Sequence, residues 1–188
     1  MAAAPAKPSP INDHDVEDWK ARFNDVLARP SEHINSKSPP TAAPWHNSFF
    51  ACLTPIDTCL LTYCLPCVTF GRTHHRLRKD GSLEGYEPIN TSCLLFCGAG
   101  CFGAHWIPMA MQRADIRAKY NLQGNCLTDI ATACCCALCD LVQVDKEAAF
   151  RASEVPAGPQ GVQQQYVAPA AGMEYPAPAA PAPAEVKN

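Results

Sequence analysis

Val16, Trp19, Phe23, Val26 and Leu27 recur at three- and four-residue steps among charged neighbours. That period places them on one stripe of a helix. Asn12-Asp13 supplies the cap, acidic residues fill the first turn, and Pro30 ends the run. The stripe predicts docking onto the rest of the chain. The alternative is an interfacial membrane helix, but Asp15, Glu17, Asp18 and Asp25 would be repelled by an anionic leaflet. Residues 31–44 show no period and read as a linker.

Trp45 to Phe50 opens a second region. Thr54-Pro55-Ile56-Asp57 predicts a helix start with proline near the first turn. This helix runs to about Leu77, strained at Pro66, which removes a backbone donor. Gly81 and Gly85 to Asn90 form a loop. From Pro88 to Gln112 the chain carries no formal charge, a length sufficient for a bilayer span. Gly98, Gly100, Gly103, His105 and Pro108 weaken it both as a helix and as a span. Arg113 to Tyr120 continues as an amphipathic helix, broken at Gly124, and Thr128-Asp129 starts a last helix to about Phe150. A two-span hairpin over 49–71 and 88–112 is one option. The basic residues flanking the second segment nearly match those in the connecting loop, so the positive-inside asymmetry is weak. A helix buried in the domain, or lying partly in the bilayer, fits better.

Composition sharpens this picture at the cysteines. All twelve fall between Cys52 and Cys139. Met1 to Asp15 has no apolar h-region, so secretion is not expected. In a reducing compartment, dense cysteine points to metal binding, lipidation or catalysis before cross-links. The Ala/Pro-rich residues 1–12 and the Pro/Ala/Gln tail from Ala152 cannot bury a core and are expected to be disordered. The expected organisation is therefore 1–44 with one amphipathic helix and a linker, 45–151 as the cysteine-rich domain, and 152–188 as a tail. The fold class is mainly α, a small cysteine-rich helical domain with disordered ends.

Thiolates are soft ligands for zinc and cadmium, and zinc prefers four Cys or His in a tetrahedron. The stronger candidates are Cys59, Cys64 and Cys67 at one end and Cys134, Cys135, Cys136 and Cys139 at the other, each end holding a C-x-x-C pair. Since two cysteines cannot fill a tetrahedral shell, the two ends are expected to meet around one ion. Cys93, Cys97, Cys101 and His105 are weaker candidates at four-residue steps. Adjacent members face the same way. All four cannot share one ion across about 18 Å of helix. For Cys93, Cys97 and Cys101 a packing stripe is the preferred reading, because free cysteine behaves as a small apolar residue. His74 and His75 stand among Arg72, Arg76, Arg78 and Lys79 and read as a solvated basic helix end, with an anionic-lipid patch or extra metal ligands as alternatives.

Other chemistries find little support. No third group orients a Cys–His pair toward nucleophilic catalysis, and there is no phosphate loop or zinc-protease motif. With a net charge of -3 and no basic block, nucleic acid is not an expected partner. Membrane lipids, a metal ion and a second copy of the chain are. Cysteines near apolar segments are also candidates for S-acylation.

The order and spacing of three motifs resemble the placenta-specific-eight (onzin) domain, shared by cornifelin, the plant cell-number regulators and the plant cadmium-resistance proteins. These are Cys59 with Cys64-Leu-Pro-Cys67-Val-Thr-Phe-Gly71, Arg113 with Arg117-Ala-Lys-Tyr-Asn-Leu-Gln-Gly124, and Asp129 with Cys134-Cys135-Cys136-Ala-Leu-Cys139. The resemblance covers about 45–151, with flanking wording closer to fungal members. It implies a small, membrane-associated, non-enzymatic protein at the plasma membrane or cytoplasmic face. In plant relatives it is linked to zinc and cadmium tolerance and organ size, and in animal relatives to growth and differentiation. The plant motif C-C-x-x-x-x-C-P-C is altered: Leu60 and Leu65 replace two of its cysteines, leaving Cys59, Cys64 and Cys67. A zinc-like divalent cation is the implied cofactor. The competing implication is an acylated regulatory scaffold whose cysteines serve packing and lipid attachment.

Overall fold

The computed structural model describes residues 9–154, which form eight α-helices and one 3-10 turn with no extended strand. Of the two tails, only 9–12 and 152–154 lie among these residues, and the latter complete the last helix; the remainder lies outside the described residues. Helix α1 is Asp13–Ala28, capped by the Asn12 side chain, and α2 is Pro30–Ile34. Pro30 thus both ends one helix and occupies the first turn of the next, where its missing N–H costs nothing. The 3-10 turn Ala51–Leu53 precedes α3, Ile56–Cys64, and α4, Pro66–Arg78. After a loop come α5, Thr91–Cys101; α6, Trp106–Tyr120; α7, Cys126–Cys135; and α8, Ala137–Glu154.

Three helices expected to be continuous are broken, each for a local reason. The run from Ile56 to Leu77 divides at Leu65 (φ -135, ψ 64), because the residue before a proline is pushed out of the α region. The uncharged stretch 88–112 divides between Cys101 and Trp106, where Gly103 takes a left-handed φ of 68. The last helix starts earlier, at Cys126, under an Asn125–Thr128 capping box, and divides at Cys136 (φ -148, ψ 85). As a result, no helix among the described residues is long and apolar enough to cross a membrane.

Helix α8 is the packing axis, lying against α3, α4, α6, α7 and the 3-10 turn, while α5 lies along α4. One apolar cluster joins Trp19, Phe70, Phe96, Met109, Ala133 and Leu141 from six helices. A second gathers Leu77, Ile116, Leu122, Val144 and Ala148. The stripe of α1 docks as expected: Trp19 is buried, its ring stacked on His74 at 4.8 Å and near Phe70 at 5.8 Å. The segment read as a linker is pinned by backbone hydrogen bonds. The Ser38 amide donates to Gly124, Ala43 to Asn121, and Gln123 back to Ala43.

The basic helix end is solvated only at its tip, where Arg78 and Lys79 are exposed. Arg72 and Arg76 both reach Asp145 on α8, at 2.6 and 2.9 Å, and Thr73 donates to the same carboxylate at 3.1 Å. His74 is buried behind Trp19. The sequence signal was charge density alone; what it lacked was Asp145, seventy residues on, which lets guanidinium groups be buried as ion pairs.

Candidate metal centre

Cys67, Cys93 and Cys97 bring their sulfurs together, all within 4.8 Å of one another. Among the described residues this is the one group of three or more potential ligands so converged. The geometry follows from two helix starts. Cys67 lies in the first turn of α4, immediately after Pro66. Cys93 lies in the first turn of α5, its amide donating to the Asn90 cap oxygen at 3.0 Å. Cys97 follows one turn later, on the same side. The two helices approach closely at Gly71, where an added Cβ would sit 2.6 Å from Asn90 Oδ1. A side chain there would push away the cap that fixes Cys93. Tyr86 closes the region from the loop, its hydroxyl donating to the Val68 carbonyl at 3.0 Å.

Cys93 is buried, Cys67 half-buried and Cys97 exposed, so the cluster opens to solvent on one side. Burial pushes all three thiols up from their ordinary value, and their contacts with one another act in both directions. A cation changes that balance, since thiolates that repel one another become a favourable shell around a soft divalent ion. Sulfurs in a tetrahedral zinc site stand about 3.8 Å apart, so the observed cluster needs only a small contraction. The donor set therefore fits a soft cation. Three sulfurs leave one tetrahedral position for water or a fourth thiol, and exposed Cys101 stands one turn beyond Cys97.

The other candidates are placed differently from the expectation. The two C-x-x-C ends do not share a shell: Cys67 converges with Cys93 and Cys97 instead of Cys134, Cys136 and Cys139. Cys59 is buried on the inner face of α3, while Cys64 is exposed at its end. Cys134 and Cys135 are exposed at the end of α7. Cys139 is buried, with its sulfur 3.3 Å from that of Cys52, a residue that spacing did not single out. His105 lies beyond the break after α5, edge-on to Phe96 at 5.9 Å, and lines an apolar groove of about 300 Å³ with Tyr63 and Leu141. Pairing Cys67 with α5 was hidden because it depends on how α4 and α5 cross, which no local period encodes.

The PLAC8 family profile matches residues 45–147, which contain this whole cluster. The chain belongs to the PLAC8 family. Among relatives, it is 32% identical to cell number regulator 9 of Zea mays over 81% of this chain and 87% of that protein. It is 27% identical to plant cadmium resistance 2 of Arabidopsis thaliana over 68% of this chain and 81% of the relative. Plant cadmium resistance 1 of the same plant is 29% identical over 61% and 73%. No solved structure matches the chain significantly. The names of these PLAC8 relatives are those of resistance proteins and regulators, not of enzymes. The PLAC8 match ends at 147, within α8, whereas the helix itself continues to Glu154.

Proposed function

We propose that this PLAC8 protein is a non-enzymatic, membrane-associated binder of a soft divalent cation of the zinc or cadmium class, acting in metal homeostasis. The observation that carries the reading is the convergence of Cys67, Cys93 and Cys97 from two helices onto one half-open cluster. The cadmium-resistance names of relatives point to the same ion class. Because the thiols are pushed up by burial, each must lose a proton on binding, so affinity rises with pH and acid releases the ion. Protein purified anaerobically and titrated with cadmium is expected to show thiolate-to-metal absorbance and a bound ion by elemental analysis. Cys93→Ser should abolish both, whereas Cys64→Ser should leave them. Equal metal content in wild type and Cys93→Ser would remove the site.

The membrane part of the reading rests on α3. Ile56, Leu60 and Tyr63 fall at helical spacing on one face and are 62%, 56% and 75% exposed. Phe50 and Leu53 extend this apolar surface, also exposed. Exposed Cys64 next to it is a candidate S-acylation position, and this observation favours the acylated scaffold as the second reading. The protein is expected to float with lipid vesicles, and Leu60→Ser with Tyr63→Ser should shift it to the soluble fraction without lowering its denaturation midpoint. Unchanged flotation of that double variant would exclude this face.

A further inference from the structure

At the first turn of α8 lies a second thiol arrangement, separate from the cluster of Cys67, Cys93 and Cys97. Cys52, in the 3-10 turn Ala51–Leu53, places its sulfur 3.3 Å from that of Cys139 in α8. Both are buried, enclosed by Val142, Phe49 and Leu138. Cys136 precedes α8, is half-buried, and its sulfur accepts from the Cys139 backbone N–H at 3.3 Å. These three sulfurs do not converge as Cys67, Cys93 and Cys97 do. The arrangement is a contacting pair with an accessible neighbour, which suits thiol exchange better than a coordination shell.

We propose that Cys52 and Cys139 form a reversible disulfide in this protein, with Cys136 as the thiol through which a small-molecule disulfide such as oxidised glutathione delivers oxidation. Cys136, whose sulfur accepts from the Cys139 backbone N–H, gives up its proton and attacks the glutathione disulfide. A Cys136–glutathione bond forms, and one glutathione leaves as a thiolate that takes up a proton. Cys139 gives up its proton and attacks the Cys136 sulfur, releasing the second glutathione. Cys52 then gives up its proton and attacks the Cys139 sulfur, forming Cys52–Cys139 and releasing Cys136 as a thiolate that takes up a proton. In sum, two protein thiols lose two electrons and two protons, and one glutathione disulfide becomes two thiols. Burial and its sulfur neighbours push the Cys139 thiol up, so Cys139 reacts poorly with external oxidants, and the order begins at Cys136. The bond fastens the 3-10 turn to α8. The closed loop contains all three residues of the metal cluster, so oxidation constrains the scaffold that holds it.

The test uses the full chain, reduced and metal-free, equilibrated in glutathione buffers of graded ratio, quenched with acid, alkylated and mapped by mass spectrometry. The expected dominant intramolecular linkage is Cys52–Cys139, reversed by dithiothreitol. Cys136→Ser should slow its formation by about tenfold or more at an unchanged final yield, and Cys67→Ser should not affect it. A dominant Cys136–Cys139 linkage, or Cys52 remaining reduced while the exposed cysteines are glutathionylated, would overturn the proposal. So would the same linkage pattern in urea-unfolded protein. An unchanged rate in Cys136→Ser would remove the entry role. Stoichiometric zinc that blocks the linkage in Cys67→Ser protein would make the cluster a metal site instead.

Discussion

Asp129→Ala is expected to destabilise the protein by about 3–5 kcal/mol, the range for removing one partner of a buried ion pair. Asp129 is 1% exposed at the first turn of α7. Arg117 from α6 binds it through Nε at 2.8 Å and Nη2 at 2.7 Å, and Arg113 Nε lies 3.4 Å away. Arg113 also donates to Asp140 and to Gln143 on α8, both at 2.8 Å, and its guanidinium lies over the Trp45 ring at 4.1 Å. One carboxylate thus holds two buried guanidinium groups and joins α6 to α7, while Arg113 extends the network to α8. Removing it strands Arg117 with only Ser38 Oγ at 2.9 Å and the Gly124 carbonyl at 3.3 Å. Arg113 keeps Asp140, so the loss falls chiefly on Arg117. Asp129→Asn preserves shape and an acceptor and should cost less than Asp129→Ala. Urea unfolding followed by circular dichroism measures both. A cost below about 1 kcal/mol for the alanine variant, the range of exposed pairs, would show that the guanidiniums find water and that this network does not hold the bundle.

Much of the bundle was legible in the sequence. The stripe of α1 and its Asn12 cap act locally, through helix period and backbone donors, whereas Pro66 and Gly103 read only as weak points in continuous helices and the Asn125 cap was not singled out. The expected helical, cysteine-rich class follows from the local signals. The expected single helix through Cys134–Cys139 failed for a different reason. The periodic apolar pattern continues across Cys136, but there the backbone leaves the helical region and a sulfur accepts from the Cys139 N–H, which periodicity does not register.

The site was legible only in its ingredients. The C-x-x-C spacing singled out Cys67 and Cys139 and suggested that they belong together. The structure assigns them different partners, Cys93 with Cys97 in one case and Cys52 in the other. Four-residue spacing did indicate that Cys93 and Cys97 face the same way, since that depends on helix period alone. The third sulfur of the cluster comes from a neighbouring helix, and sequence separation carries no information about which helix that is. The same limit hid the ion pairs: Arg72, Arg76, Arg113 and Arg117 look like surface charge until Asp145, Asp129 and Asp140 are brought against them.

Acidification should destabilise the protein through His74. Its ring stacks on Trp19 from α1, and its Nδ1 lies 2.9 Å from Ser92 Oγ, which in turn accepts from Trp19 Nε1 at 3.0 Å. Ser92 therefore has its own proton to donate to Nδ1, fixing the neutral tautomer with its proton on Nε2, 3.4 Å from Asp18 Oδ2. Burial first, then Arg22 and Arg78, lower the histidine from 6.5 to about 3, against the pull of Asp18. A depressed folded value means that the unfolded chain binds the proton more readily. The contribution is therefore complete above about 6.5 and is lost as pH falls toward 3. Within that window each pH unit costs at most about 1.4 kcal/mol from this group. Asp140, pushed up to about 6 mainly by burial, acts in the opposite sense: its contribution is present below the unfolded carboxylate value and is lost as pH rises through 6. Comparison of wild type with His74→Gln isolates the histidine, because Asp140 is common to both and the amide does not titrate. Urea midpoints measured from pH 7 to pH 4 should fall more steeply in wild type than in His74→Gln. Because the ring joins α1 to α4 and α5, the first step in acid should be release of α1, read as a gain in Trp19 solvent exposure. Parallel pH profiles for the two proteins would mean that a group other than His74 governs acid stability.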